Sequence, residues 1–251
     1  MIKYIFCIST GRSGTGYLAN ILSTLSDTKA YHEQKPRMNK EIMREFLKGN
    51  NAPLQSEMSK KVDLIMQASD GIYVDTSHIF IKSFGWEIPK YIPQNEIGIV
   101  ILKRNKSKVV ESFHRIQSSP FNDKGRDWII YPNGNNLTSP AINAFNYKVL
   151  RFLLKGYWRV TGAKGHKKYP SYFRDKSYKL LSWYYDEIYA LGNKFQKMYP
   201  QISYVEVNLE ELNTFEGVER IIKKFGLEKA YNKEKLADLI DVPVNLKDNI
   251  K

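Results

Sequence analysis

A single cysteine, Cys7, stands in 251 residues, inside the apolar run Tyr4-Ile5-Phe6-Cys7-Ile8. No disulfide within the chain is possible, and a thiol in such a run reads as an inert core side chain, which suits a reducing compartment. Histidine is nearly as scarce, at 4 residues. No Cys/His cluster has zinc spacing and no carboxylate set suits magnesium, so no metal is expected. No segment approaches the roughly 18 apolar residues of a membrane span, and the short apolar N-terminal run leads into a glycine-rich turn without a small-residue cleavage pattern. The expectation is a soluble, cytoplasmic protein. Acid is the last shortage: 26 Asp and Glu face 39 Lys and Arg, a formal charge of +13. That excess concentrates anionic ligands without naming one. Nucleic acid, an acidic membrane surface, an acidic glycan and a nucleotide all fit, and so does plain solubility.

What is present is enough apolar sequence, 42% of residues, for one α/β domain over residues 1–251. Residues 3–9 read as a buried strand and 15–25 as a helix with Leu18, Ile21, Leu22 and Leu25 on one face. A polar, Lys-rich helical region covers about 38–67, and a second strand 72–76. Residues 97–102 are apolar apart from Gly98, as in a central strand covered on both faces, and helix 106–117 follows. The Ser/Pro/Asn/Gly-rich stretch 118–140 marks a lid or acceptor-binding loop. Helices at about 141–158 and 176–199, a last strand at 202–207, a helix near 214–225 and a short one near 233–240 complete the chain. Strands alternating with helices predict a three-layer parallel sheet with helices on both faces.

Between the first strand and the first helix lies Thr10-Gly11-Arg12-Ser13-Gly14-Thr15-Gly16-Tyr17, where backbone N–H groups and the positive helix end form an anion site. Gly11 and Gly16 have Walker A spacing, but Tyr17 and Leu18 occupy the positions of its Lys and Ser/Thr. A nucleotide kinase or other P-loop NTPase would lack its phosphate cation and its magnesium hydroxyl. Arg12 supplies a cation from within the loop, with a fork suited to phosphate or sulfate oxygens.

Arg12-Ser13-Gly14-Thr15 followed by a hydrophobic helix resembles the phosphosulfate loop of sulfotransferases that use 3′-phosphoadenosine 5′-phosphosulfate (PAPS), most closely the Golgi-type (tyrosylprotein) and bacterial members. A second similarity is the run 101–113, a strand ending in Arg104 and a helix carrying Ser112, the pair that grips the 3′-phosphate in that family. A third is Tyr204-Val205-Glu206-Val207 running into a helix and Phe225-Gly226-Leu227. The resemblance implies a P-loop NTPase-like fold and metal-free sulfuryl transfer from PAPS to a hydroxyl or amine, leaving the desulfonated product PAP. It implies cofactor binding by Gly11, Arg12, Ser13, Gly14, Thr15, Gly16, Tyr17, Arg104 and Ser112. The RKGxxGDWK-like segment of the cytosolic branch has no counterpart here.

Sulfuryl transfer needs an in-line acceptor, a base and cations at the shifting charge. Related enzymes place a catalytic Glu about as far beyond the loop as Glu33 lies, so Glu33 is the expected base, with His32 as the alternative. His78, after the second strand, is a candidate for stabilising the sulfuryl group, for base or for acceptor contact, with Lys82 one turn on; a structural histidine is the plainer account. Arg12 completes the catalytic set. His114 and His166 read as surface residues. The segment 164–174 interleaves cations with aromatics, which suits a solvated loop, a cover for the 3′-phosphate, an anionic or carbohydrate acceptor, or single-stranded nucleic acid. Lys247 could serve the same phosphate. A non-catalytic nucleic-acid binder is the rival from another class, but it leaves Arg12, Arg104 and Ser112 unexplained.

Overall fold

The computed structural model describes residues 2–68, 71–162 and 169–240. Five strands, β1 (Tyr4–Ile8), β2 (Thr28–Tyr31), β3 (Ile72–Asp75), β4 (Ile97–Lys103) and β5 (Ser203–Asn208), form one parallel sheet in the order β2-β3-β1-β4-β5. Their connections carry α1 (Thr15–Leu22), α2 (Lys40–Leu47), α3 (Ala52–Met66), α4 (Lys106–Arg115), the short α5 (Asp123–Arg126), α6 (Ala144–Thr161) and α7 (Ser171–Met198). After β5 come α8 (Phe215–Phe225) and α9 (Lys233–Ala237).

β1 is buried throughout because neighbours cover it on both faces. Tyr4, Phe6 and Ile8 pack with residues of α2, α3, α4, α6 and α7, while Ile5 and Cys7 pack with α1, α8 and α9. Alternate side chains of one strand therefore enter two cores, and helices lie on both faces of the sheet. β1 pairs with β3 on one side and β4 on the other, so the chain order reverses at β1. The crevice at its carboxyl end is where an open α/β sheet binds ligands.

Several boundaries differ from the sequence expectation. β2 was not anticipated: Thr-Lys-Ala-Tyr is a short, half-exposed edge strand without alternation, and it leads directly into His32 and Glu33. The helical region 38–67 is two helices, because the chain turns at Gly49 with φ 93°. α7 starts five residues earlier than expected, at Ser171 after Pro170, and α1 stops at Leu22. The stretch 118–140 contains α5 and is not free. Glu187 of α7, itself buried, accepts hydrogen bonds from the amides of Leu137 (2.8 Å) and Thr138 (2.7 Å) and from the Thr138 hydroxyl (2.6 Å).

Candidate functional site

The loop after β1 must turn sharply to start α1, and it does so through left-handed backbone at Arg12 (φ 70°) and Gly14 (φ 93°) on either side of Ser13. That alternation curls the amides into a concave seat, and Gly14 offers no side-chain cap to the first turn of α1, so the positive helix end faces the same concavity. Gly11 is needed for close approach. A Cβ there would meet Phe113 Cζ at 3.2 Å and His78 Cε1 at 3.3 Å. Thr10 and Ser13 share a hydrogen bond between buried hydroxyls, so the Ser13 side chain braces the loop rather than facing out. Tyr17 departs from expectation: its ring is buried and its hydroxyl donates to Leu239 O at 3.0 Å, so its side chain serves the α9 side of the core and only its backbone remains near the seat. Leu18 is buried in that same core.

β4 and α4 bring Arg104 and Ser112 to this loop, where Arg12 already stands. Arg104, at the end of β4, donates from Nη1 to Arg12 O at 2.9 Å, and Arg12 Nε donates to Ser112 Oγ on α4 at 3.0 Å. The three residues singled out at distant positions are thus one cluster. Burial first, then the charges of Arg115 and Arg104, pushes the Arg12 guanidinium below its ordinary range. Neither Arg12 nor Arg104 forms an ion pair among the described residues, and Arg104 Nε is buried without a hydrogen-bond partner. Clustered guanidinium groups with no carboxylate between them repel one another, and an anion seated among them removes that cost. Arg115 had not been expected here; it lies two α4 turns from Lys108, with no motif to mark it.

Across the loop, Glu33 and His78 meet. Glu33 adopts φ 60° in the turn after β2, and its Oε1 lies 3.2 Å from His78 Nε2 and 3.8 Å from His32 Nε2. Arg37 Nε lies 3.8 Å from the other carboxylate oxygen. His32 faces Gly16 at the start of α1, with its Cδ2 3.6 Å from where a Cβ would stand. Burial opposes ionisation of Glu33, but the hydrogen bond from His78 and the charges of His78, His32 and Arg37 bring its carboxyl down to about 2. Burial, then the charge of Lys82, pushes His78 down to about 4. At neutral pH His78 is therefore uncharged, and its hydrogen bond together with Arg37, not a histidinium, keeps Glu33 ionised. An ionised carboxylate only accepts, so the His78 proton sits on Nε2 and Nδ1 is an acceptor. Lys82 Nζ donates to it at 2.6 Å.

Lys82 is fully buried, and its remaining partners are Trp128 O at 2.5 Å and Tyr184 Oη at 3.2 Å. Burial pushes its pKa well below the ordinary lysine range, while three acceptors match the three protons of the ammonium form. Tyr184 Oη also accepts from the Gly11 amide at 3.4 Å. One chain of hydrogen bonds thus runs Glu33, His78, Lys82, Tyr184, Gly11, joining the carboxylate to the loop after β1. Lys82 stood one turn beyond His78 in the sequence, but Tyr184 lies 102 residues further on and carries no local signal.

No protein-family model and no curated protein matches the chain. The site therefore stands on its own geometry. Among the described residues, no group of three or more His, Cys, Asp or Glu could hold a metal ion. His114 corrects an expectation: it is buried and stacks on Tyr178, with ring centroids 3.6 Å apart. The basic aromatic segment divides. Residues 164–168 and Lys247 lie outside the described residues, Tyr169 and Phe173 pack against the core, and Tyr172 is exposed.

Proposed function

We propose that the chain is a sulfotransferase that binds PAPS at the loop following β1 and passes its sulfuryl group to a hydroxyl or amine. The observation that carries this reading is the convergence of Arg12, Arg104 and Ser112, from three separate segments, on one loop where neither arginine forms an ion pair among the described residues. The amides of 12–16 and the α1 end suit the 5′ phosphosulfate, and Arg104 with Ser112 suits the 3′-phosphate. The orphaned Arg104 Nε fits that assignment, because a buried guanidinium N–H without a partner is costly unless a ligand accepts it. When bound, PAPS supplies the activated sulfuryl group.

The chain's own residues supply the rest. Arg12 and the loop amides balance charge developing on the leaving phosphate. Glu33, ionised at neutral pH and facing the seat, is the acceptor of the substrate proton; His78, in its Nε2–H form, orients that carboxylate. Lys82 and Tyr184 hold His78 in that tautomer and fix its distance from Gly11. His32, half-exposed beside Glu33, is placed to meet the acceptor. A magnesium-dependent kinase is disfavoured, because Tyr17 and Leu18 direct their side chains into the core on the far side of α1.

Arg104→Ala tests the assignment. Loss of a charge-assisted contact to the 3′-phosphate weakens PAP by about 1.5–3 kcal/mol, roughly 10–150-fold, while adenosine 5′-phosphosulfate, which lacks that phosphate, loses much less. Calorimetric titration of both ligands reads the difference. Equal losses would remove Arg104 from the 3′-phosphate site.

A further inference from the structure

α6 presents to solvent what a helix in a water-soluble fold normally hides. Its inward face is Tyr147 and Leu154, with Leu150 and Trp158 packed beside them. On the opposite side Phe145, Val149, Phe152, Leu153 and Val160 follow at the three- and four-residue spacing of one helix face. Phe145 is 74% exposed, Phe152 76% and Val160 87%. Gly156 continues the line, with nothing within 4 Å of a Cβ there. A second stripe runs beside the first: Lys148, Arg151, Lys155 and Arg159, again at three- and four-residue steps. α6 contains no Asp or Glu. Arg151 pairs with Asp123 at 2.7 Å, whereas Lys148, Lys155 and Arg159 form no ion pair among the described residues.

We propose that this face of α6 docks on an anionic lipid surface, its apolar stripe entering the headgroup boundary and its basic stripe lying against lipid phosphates. Charge decides among occupants. A second copy of the chain would bring two all-basic stripes together with no anion between them. A lipid surface supplies an apolar layer directly beneath a negatively charged one, in the same side-by-side order as the two stripes, and the chain's formal charge of +13 adds longer-range attraction. No described helix is long and apolar enough to cross a membrane, so the contact is an in-plane one. The proposal does not depend on the reading of the catalytic site.

The test is flotation of the whole chain with phosphatidylcholine vesicles and with vesicles containing about one-third phosphatidylserine. The chain is expected to float with the anionic vesicles only, and less so as salt is raised. Phe145→Ser/Phe152→Ser and Lys148→Glu/Arg159→Glu, all solvent-facing, should each weaken that association by at least about tenfold while thermal stability stays at the wild-type level. Absence of flotation, equal flotation with neutral vesicles, or binding indifferent to both variants overturns the proposal. So does a dimer, seen by light scattering, that the phenylalanine variant splits and that ignores vesicles, because the face would then belong to a second copy.

Discussion

Glu33 is held where an L side chain seldom rests, at φ 60°, and the residue after it explains why it stays. Asp75 Oδ1 accepts from the Gln34 amide (3.4 Å) and the Lys61 ammonium donates to Gln34 O (2.9 Å), so the backbone after Glu33 is tied to β3 and α3. The carboxylate is thereby aimed at His78 by the fold itself. His78 answers by staying neutral. Its imidazole should titrate at about 4 rather than at the ordinary 6.5, with the proton on Nε2, and Glu33→Gln should lower that value further by removing the neighbouring charge. Proton–nitrogen NMR across the acid range measures both; a midpoint near 6.5 with an Nδ1–H tautomer would contradict the arrangement. The folded state refuses a proton that the unfolded chain takes near 6.5, so His78 costs stability as pH falls from about 6.5 to about 4. Glu33 acts with the same sign from 4.5 down to about 2, because its folded carboxyl stays ionised over that range. On the sulfotransferase reading, in which Glu33 takes the acceptor's proton, the same Glu33→Gln variant should lower turnover by about 10²–10⁴-fold once an acceptor is in hand, since an amide cannot take that proton.

Between elements, the Lys61–Asp75 pair lies near the site, 2.6 Å apart with both side chains fully buried. It joins α3 to the end of β3, and Asp75 also accepts from the Ser77 amide at 3.1 Å, fixing the turn that carries His78. Lys61→Met leaves a buried carboxylate without its cation and should cost about 3–5 kcal/mol, while Lys61→Met/Asp75→Asn should recover most of that loss. Urea unfolding checks it. A single variant within about 1 kcal/mol of wild type would mean the pair does not hold the turn. Nothing in the sequence announced this tie, because its partners sit in different elements and neither belongs to a motif. The elements that were legible share a simple cause. β1 is apolar throughout and β4 nearly so up to Leu102, since both faces are covered, and Arg104 and Ser112 lie eight residues apart across one strand-helix junction. β2 escaped because an edge strand of four half-exposed residues has no pattern to read. Glu187 carries no local signal, because the loop amides it binds lie 50 and 49 residues away in the chain.

At the scale of the whole molecule, the excess of positive charge resolves into places with different chemistry. Arg12 and Arg104 crowd one loop at the switch point of the sheet, while the cations of α6 line an apolar stripe on an outer helix. The charges of Arg104 and Arg115 disfavour the Arg12 guanidinium, so a ligand that neutralises them should stabilise the fold. The reading as a PAPS site then makes a demand that can be measured without knowing the acceptor. PAP, with EDTA present, should raise the melting temperature. At a hundredfold excess over its dissociation constant the linkage amounts to about 2.7 kcal/mol, or roughly 5–10 °C for a chain of this size. No shift with PAP, beside a clear shift with ATP and magnesium, would contradict the account.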